Sequence, residues 1–481
     1  MPSQTAPGRR GPATGGRSRR SGRAQRGGPA PETAPGQPLP PAGESGGGEG
    51  GGGEGGGGGP VLIRVNPRPG LLGGRLRLQQ LVLVEVAAAL VAVGWTISRP
   101  VAAGFGAVAL VLVVLAVIPL RGRTIPELLR VRAALKSRRR QARGTLPPAG
   151  TDPALAPALE LEPALRTCTH ATEADLGGRP VRRETGMVGD GTFLSSVLLV
   201  QAKDQPLRPV RTALPLPLDV ICSALQVDDI TLESVQLVQH TQPAPAPHLP
   251  EQSLAARAYR ELPDGTATPG LRLTWVALKL DPERAAAAVR ARGGGEEGAR
   301  KALQRVTDQL AGRLNSAGFN ATVLDERELI AALAISTCAN PLAVAGRQGT
   351  GSGGGTTRRT QEGSRFWRID DRWHSTYWIS RWPQLSRPGG SPGRIAAPDL
   401  VNLVTGSPAL ASTFSLTAGR GTGGSVTVSG HLRVTGRSES EVTQVGRQVE
   451  ARAQGAGLGL VRLDLEQAPG VLATLPLGGA S

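Results

Sequence analysis

Residues able to do chemistry are sparse in this chain, and none falls into a reactive spacing. Gly346–Gly355 (GRQGTGSGGG) has the glycine density of a phosphate-cradling loop, but it lacks a GK[ST] ending and an apolar strand leading into it. It reads as a surface loop. Asp370, Asp371 and His374 place two carboxylates and an imidazole close in sequence, the raw material of a metal or acid–base site. Neighbouring strand residues point to opposite faces, so that spacing does not converge. His170, His240, His248 and His431 stand apart, and no GxSxG or HExxH occurs. Asp228-Asp229 and Asp325-Glu326 fall at element ends, where capping and turn formation are the ordinary use of acids. The expectation is a chain with no catalytic residue, no cofactor and no metal.

The elements that would have to position any site begin late. Residues 1–60 run from an Arg/Gly/Ser stretch through Pro/Ala into a Gly/Glu tract. They carry too little apolar surface to offset the entropy of ordering them. A disordered tail is expected there. The formal charge of +17 suggests a nucleic-acid partner until it is located, since +12 of it lies in residues 61–150. No basic face of a folded domain is visible, so no specific nucleic acid is expected. Three cysteines, Cys168, Cys222 and Cys338, are too few and too scattered for a disulfide framework.

Residues 81–98 and 101–120 are the two most apolar stretches, each about 27–30 Å long as a helix. Only Arg99 and Pro100 separate them, which predicts a two-helix transmembrane hairpin. Arginines gather before the first stretch and after the second, so both termini are expected on the cytoplasmic side of the plasma membrane. Residues 61–80 are then a juxtamembrane segment. Residues 121–143 form a basic helix, either lying on anionic headgroups or continuing into solvent. Glu85, inside the first span, either faces a partner helix or reaches headgroups and Arg77.

Residues 144–182 are rich in Pro and Ala and read as a linker to a cytoplasmic α/β (α+β) region, 183–481, with a loop at 341–364. Met187–Gln201 predicts a hairpin turning at Asp190-Gly191. A helix is expected over 218–226, and strands over 230–240 and 271–280. The strand 271–280 is followed by a helix over 282–316 interrupted at Gly293–Gly295, then Ala317-Gly318-Phe319 and a strand ending in Asp325. Strands 412–417 and 425–435, a helix over 438–454, Ala456-Gly457-Leu458 and a strand ending in Asp464 repeat that pattern. Two related strand–helix–strand units account for it.

Phe366–Pro383 (FWRIDDRWHSTYWISRWP) holds four of the six tryptophans. Aromatics this dense make either core strands or a docking surface. The favoured reading is a hairpin with one face packed. Trp367, Trp373, Tyr377, Trp378 and Trp382 are candidate partner contacts, together with Glu85 and Trp95 in the first apolar stretch.

The adjacent apolar stretches at 81–120, GMVGDGTFLSSVLLVQ (186–201), PLPLDVICSALQVDDITLESVQLVQH (215–240) and the aromatic segment together resemble the EccE component of type VII (ESX) secretion systems. The resemblance implies a non-catalytic membrane subunit assembling with other secretion components, including an FtsK/SpoIIIE-type ATPase. No catalytic residue carries over, and the Arg/Gly-rich tail departs from shorter members. A different class also fits a two-span anchor with an α/β region: a membrane-anchored, transferase-like enzyme acting on a nucleotide-activated or lipid substrate. A third class is a nucleic-acid tether through the arginine-rich tail.

Overall fold

In the computed structural model the described residues are 63–65, 78–117, 125–148, 150–175, 180–203, 215–243, 270–340, 358–386, 395–421 and 425–479, with isolated positions 252, 254 and 257. Contacts divide the chain into two units, 1–58 and 59–481. The tail and the Gly-rich loop 346–355 lie outside the described residues, and every described element belongs to the second unit.

Its first elements are β1 (Ile63–Val65), α1 (Leu78–Ile97), α2 (Arg99–Val117) and α3 (Ile125–Gly144). A first block comprises α4 (Ala156–Leu161), β2 (Arg166–Asp175), β3 (Pro180–Gly189), β4 (Leu194–Ala202), α5 (Leu218–Ser223) and the short β5 (Gln226–Val227) and β6 (Ile230–Thr231). It continues with β7 (Ser234–Gln242), β8 (Leu271–Leu280), α6 (Ala286–Ala291), α7 (Gly295–Ser316), β9 (Phe319–Val323) and α8 (Glu326–Ser336). The second block opens with β10 (Thr360–Glu362), β11 (Trp367–Ile369), β12 (Arg372–Arg381), β13 (Leu385–Ser386), β14 (Ile395–Ala396) and α9 (Ala397–Thr405). It closes with β15 (Ala411–Arg420), β16 (Val426–Gly436), α10 (Glu439–Gly455), β17 (Gly459–Arg462) and α11 (Gln467–Leu472).

The two blocks share one strand order. Outward from the central β7–β15 pair the sheet reads β8, β4, β3, β2 on one side and β16, β12, β11, β10 on the other. In each block one strand is handed between partners at the same place. β3 pairs with β4 at Met187↔Ser196 and β9 takes over by Leu198↔Val323. β11 pairs with β12 at Trp367↔His374 and β17 takes over by Tyr377↔Arg462. Val323 and Arg462 are as far apart in sequence as Phe319 and Leu458, so strand register and the AG-F/AG-L repeat agree. The repeated glycines end the long helices. Gly318 (φ +95°) and Gly457 (φ +81°) occupy the left-handed region after α7 and α10, where a side chain would be strained.

Alternation along the strands fills both faces. In β8, Val276 and Leu278 join Leu303, Val306 and Leu310 of α7, whereas Trp275 and Ala277 join Leu329 and Leu333 of α8 on the other face. In the second block Leu432 and Val434 pack with Val445 and Val449 of α10. Tyr377 reaches α10 at Gly446, where a Cβ would collide with the phenol oxygen. Helix α8 starts with a capping box: Asp325 accepts from the Glu328 N–H at 2.8 Å, and Glu328 accepts from the Asp325 N–H at 3.1 Å. Asp325→Ala should cost about 1 kcal/mol in urea unfolding, and an unchanged midpoint would show the cap to be idle.

Three expectations need correction. Among the described residues no helix is long and apolar enough to cross a membrane, which overturns the transmembrane hairpin over 81–98 and 101–120 and the orientation built on it. Helix α1 carries Gln79, Gln80 and Glu85, leaving 86–97 free of charge and amide, about 18 Å of helix. Helix α2 starts on Arg99-Pro100 and ends at Val117, giving about 26 Å. A hydrocarbon core asks for about 20 consecutive apolar residues, roughly 30 Å. Second, the α/β reading gives way to an α+β fold with a large antiparallel sheet. The strand–helix–strand units exist, but β8 and β9 both run antiparallel to β4, which lies between them, and β16 and β17 flank β12 alike. Third, 144–182 holds α4 and β2, and Leu155, Ala158, Leu159 and Leu165 sit in the core. Proline suits the first turn of a helix, and Pro157 stands there in α4.

Candidate functional site

The seven positions singled out from the sequence separate into core and surface. Trp367 and Tyr377 are each 1% exposed and belong to the core. Trp367 lies 5.0 Å from the His374 ring, centroid to centroid. Trp373 and Trp378 are half-buried. Trp373 meets Phe366 edge-on at 4.3 Å, with the Arg368 guanidinium 5.5 Å from its ring. The predicted hairpin is β11–β12, with Asp370 (φ +51°) in its turn.

Trp382 lines a groove of about 270 Å³ at the junction of the two blocks. Its walls include Leu216 and Leu218 by α5, Leu400 of α9, and Leu237 and Phe414 of the central strands. Helices α5 and α9 occupy equivalent places in the two blocks, so the groove lies where the blocks meet. Trp382 stands perpendicular to Phe414 at 6.5 Å. Among the described residues its indole N–H and the Gln239 amide nitrogen have no hydrogen-bond partner.

Glu85 and Trp95 lie exposed on α1, Trp95 at 82%. Helices α1 and α2 meet through small residues: a Cβ on Gly94 would stand 3.0 Å from the Ala102 Cα, and Ala87 and Ala109 are buried. Close backbone approach through small residues is how helices associate without water driving them together. The large side chains point outward, including Val91, Val93, Ile97, Val108, Leu110 and Val111. An exposed apolar surface of this kind marks an interaction site.

Reactive arrangements do not assemble. Asp370 is held by Arg359 through two contacts of 2.9 and 2.6 Å, Asp371 accepts from the Asn340 amide at 3.0 Å, and His374 bonds Thr435 at 2.9 Å. Among the described residues no three His, Cys, Asp or Glu side chains are grouped to hold a metal ion. Burial pushes the Cys168 and Cys222 thiols up, opposite to what an activated nucleophile needs. Arg292 holds the Asp229 carboxyl below the usual range through bonds of 2.7 and 2.9 Å. That pair ties the β5–β6 turn to the end of α6.

Sequence reasoning missed two features. One is a buried polar row across the sheet: His240 bonds Thr413 at 2.9 Å, and Arg433, fully buried, bonds Thr413 at 3.3 Å and the Ser336 carbonyl. Among the described residues no carboxylate faces Arg433, and its Nε and Nη1 have no acceptor. The strand alternation of SVTVSGHLRVT did signal a residue at 433 sharing a face with buried positions. The other is a basic cleft between α3 and β10.

Residues 268–379, from β8 into β12, match a family model described as "Putative type VII ESX secretion system translocon, EccE". The class defined by that match is a component of the type VII secretion translocon, a secretion component rather than an enzyme family. Over these residues the chain is similar to EccE, and the resemblance drawn from the sequence is borne out there. No curated protein matches the chain.

Proposed function

We propose that this chain is a structural, non-catalytic subunit of a membrane-associated type VII secretion complex. The observation that carries the reading is the family match, which falls on the centre of the fold and reaches the aromatic hairpin. Two surfaces support an assembling role. The outward aliphatics of α1 and α2 with Trp95 offer an apolar face to other components or to lipid, and the Trp382 groove offers a seat for a neighbouring domain. Glu85, exposed on α1, and the half-buried Trp373 and Trp378 of β12 complete the proposed set of contacts.

Gentle detergent extraction of the full chain from its native membrane fraction tests this. The chain should come with other secretion components, including an FtsK/SpoIIIE-type ATPase. Its recovery alone, from conditions that keep the remaining complex together, would overturn the reading. Trp382→Ala should weaken that co-recovery without lowering the melting temperature by more than a few degrees. Trp367→Ala, by contrast, should act on folding, at about 3–5 kcal/mol.

A further inference from the structure

We infer that the cleft between α3 and β10 is a binding site for a phosphate-bearing anion. The cleft has a volume of about 650 Å³, the size of a small-molecule site. Arg138, Arg139 and Arg143 of α3 line one wall, and Arg358, Glu160 and Glu362 stand opposite.

Both carboxylates are already committed. Glu362 accepts a two-pronged contact from Arg138 at 2.9 and 3.0 Å and the Ala468 N–H at 3.0 Å. Glu160 accepts the backbone N–H groups of Arg359 and Thr360 at 2.9 and 2.8 Å and the Thr360 hydroxyl at 2.7 Å. Arg358 is a brace, donating to the carbonyls of Ala142 at 3.0 Å and Glu160 at 2.8 Å. Four guanidiniums against two satisfied carboxylates leave two positive charges over. They belong to Arg139 and Arg143, both exposed. Arg139 spends only its Nε, on the Glu362 carbonyl at 2.8 Å, and among the described residues Arg143 has no polar partner.

Those two residues are one helical turn apart on α3, with Cβ atoms about 6 Å from each other. Planar forks at that separation suit the several oxygens of a tetrahedral phosphate better than a single carboxylate. The braces make the wall rigid, so little ordering is needed on binding. Two sources carry the chemistry: a phospholipid headgroup or a soluble phosphate. Helix α3 packs against the end of α2, whose Leu110 and Val111 are 65% and 56% exposed, which places a headgroup within reach. The inference stands apart from the secretion reading, because it needs only the cleft.

The test is direct binding to the full chain in a non-ionic detergent. The probes are short-chain phosphatidic acid, the matching short-chain phosphatidylcholine, and inorganic phosphate at constant ionic strength. Phosphatidic acid should bind about tenfold more tightly than the choline lipid, with inorganic phosphate competing. Binding of inorganic phosphate with no gain from the acyl chains also supports the site and assigns its source to a soluble phosphate. Arg139→Gln with Arg143→Gln should lose about tenfold in affinity. Arg143→Glu, which breaks no contact of the fold, should do the same with the melting temperature unchanged. Equal binding of the two lipids, or affinity for phosphatidic acid that survives Arg143→Glu, overturns the inference.

Discussion

Glu160→Ala should destabilise the fold by on the order of 3–5 kcal/mol, the cost of removing one partner from a buried charged cluster. The Glu160 side chain is 1% exposed. Its two oxygens accept two backbone N–H groups and a hydroxyl at the start of β10, and Arg358 stands 3.8 Å away. Removing the carboxylate leaves those donors without an acceptor in a dry place, at about 1–3 kcal/mol for each unsatisfied group. It also frees Arg358, which fastens the end of α3 to α4. Urea unfolding followed by tryptophan fluorescence reads the change, since Trp367 in the next strand packs in the same core. Glu173→Ala, on the exposed side of β2, should stay within about 0.5 kcal/mol. If the two variants unfold alike, Glu160 does not fasten β10 to α4.

That fastening also shows where sequence reading fell short. The composition of 144–182 is that of a linker, and nothing local to it reveals that Arg358 and Thr360, some two hundred residues on, hold Glu160. Long-range hydrogen bonds leave no periodic trace. Elements governed by local rules were legible. The strand expected over 230–240 reads off alternation, α6 and α7 with the break at Gly293–Gly295 read off spacing and glycine, and the AG-F/AG-L repeat anticipated the likeness of the two blocks. The repeat hid its strand order, because neither β4 nor β12 gives a local sign that it lies between the strands of a later unit. In the aromatic segment, period-two alternation separated Tyr377 and Ile379 from Trp378, and the structure puts the first two in the core. Trp367 gave no such sign. The apolar stretches at 81–120 suggested spans because hydropathy was read without the helix ends, which Gln79, Gln80 and the Arg99-Pro100 start set.

The second large effect is on acid stability. His240 is buried without a carboxylate beside it, and burial, with Arg433 and Arg372 nearby, lowers its pKa to about 3. His374 is held well below the ordinary value by the same causes, with His240 adding to them. The groups facing His240 are Thr413, Gln242, the Trp275 ring at 6.3 Å and the Arg433 cation, so nothing there welcomes a second positive charge. The unfolded chain takes up a proton on this histidine near pH 6.5 and the folded chain does not until about pH 3. Between those limits the unfolded state binds more protons, so stability is full above pH 6.5 and falls as the pH drops. By pH 4 the loss from His240 alone is about 3 kcal/mol, with His374 adding to it. Ordinary carboxylates titrate near pH 4, in the lower part of that window, so a decline that starts near pH 6 reports the histidines. Arg433→Met should make the decline shallower, by removing the cation that opposes protonation. It should also leave stability at pH 7 equal or higher by about 1–4 kcal/mol, since an unpaired buried cation is replaced by a side chain that needs no acceptor. Urea midpoints of the full chain, taken between pH 4 and 8 for both proteins, decide it. A flat profile above pH 4.5 would refute the histidine account. A large loss in Arg433→Met at pH 7 would show that this guanidinium binds an acceptor worth more than its burial costs.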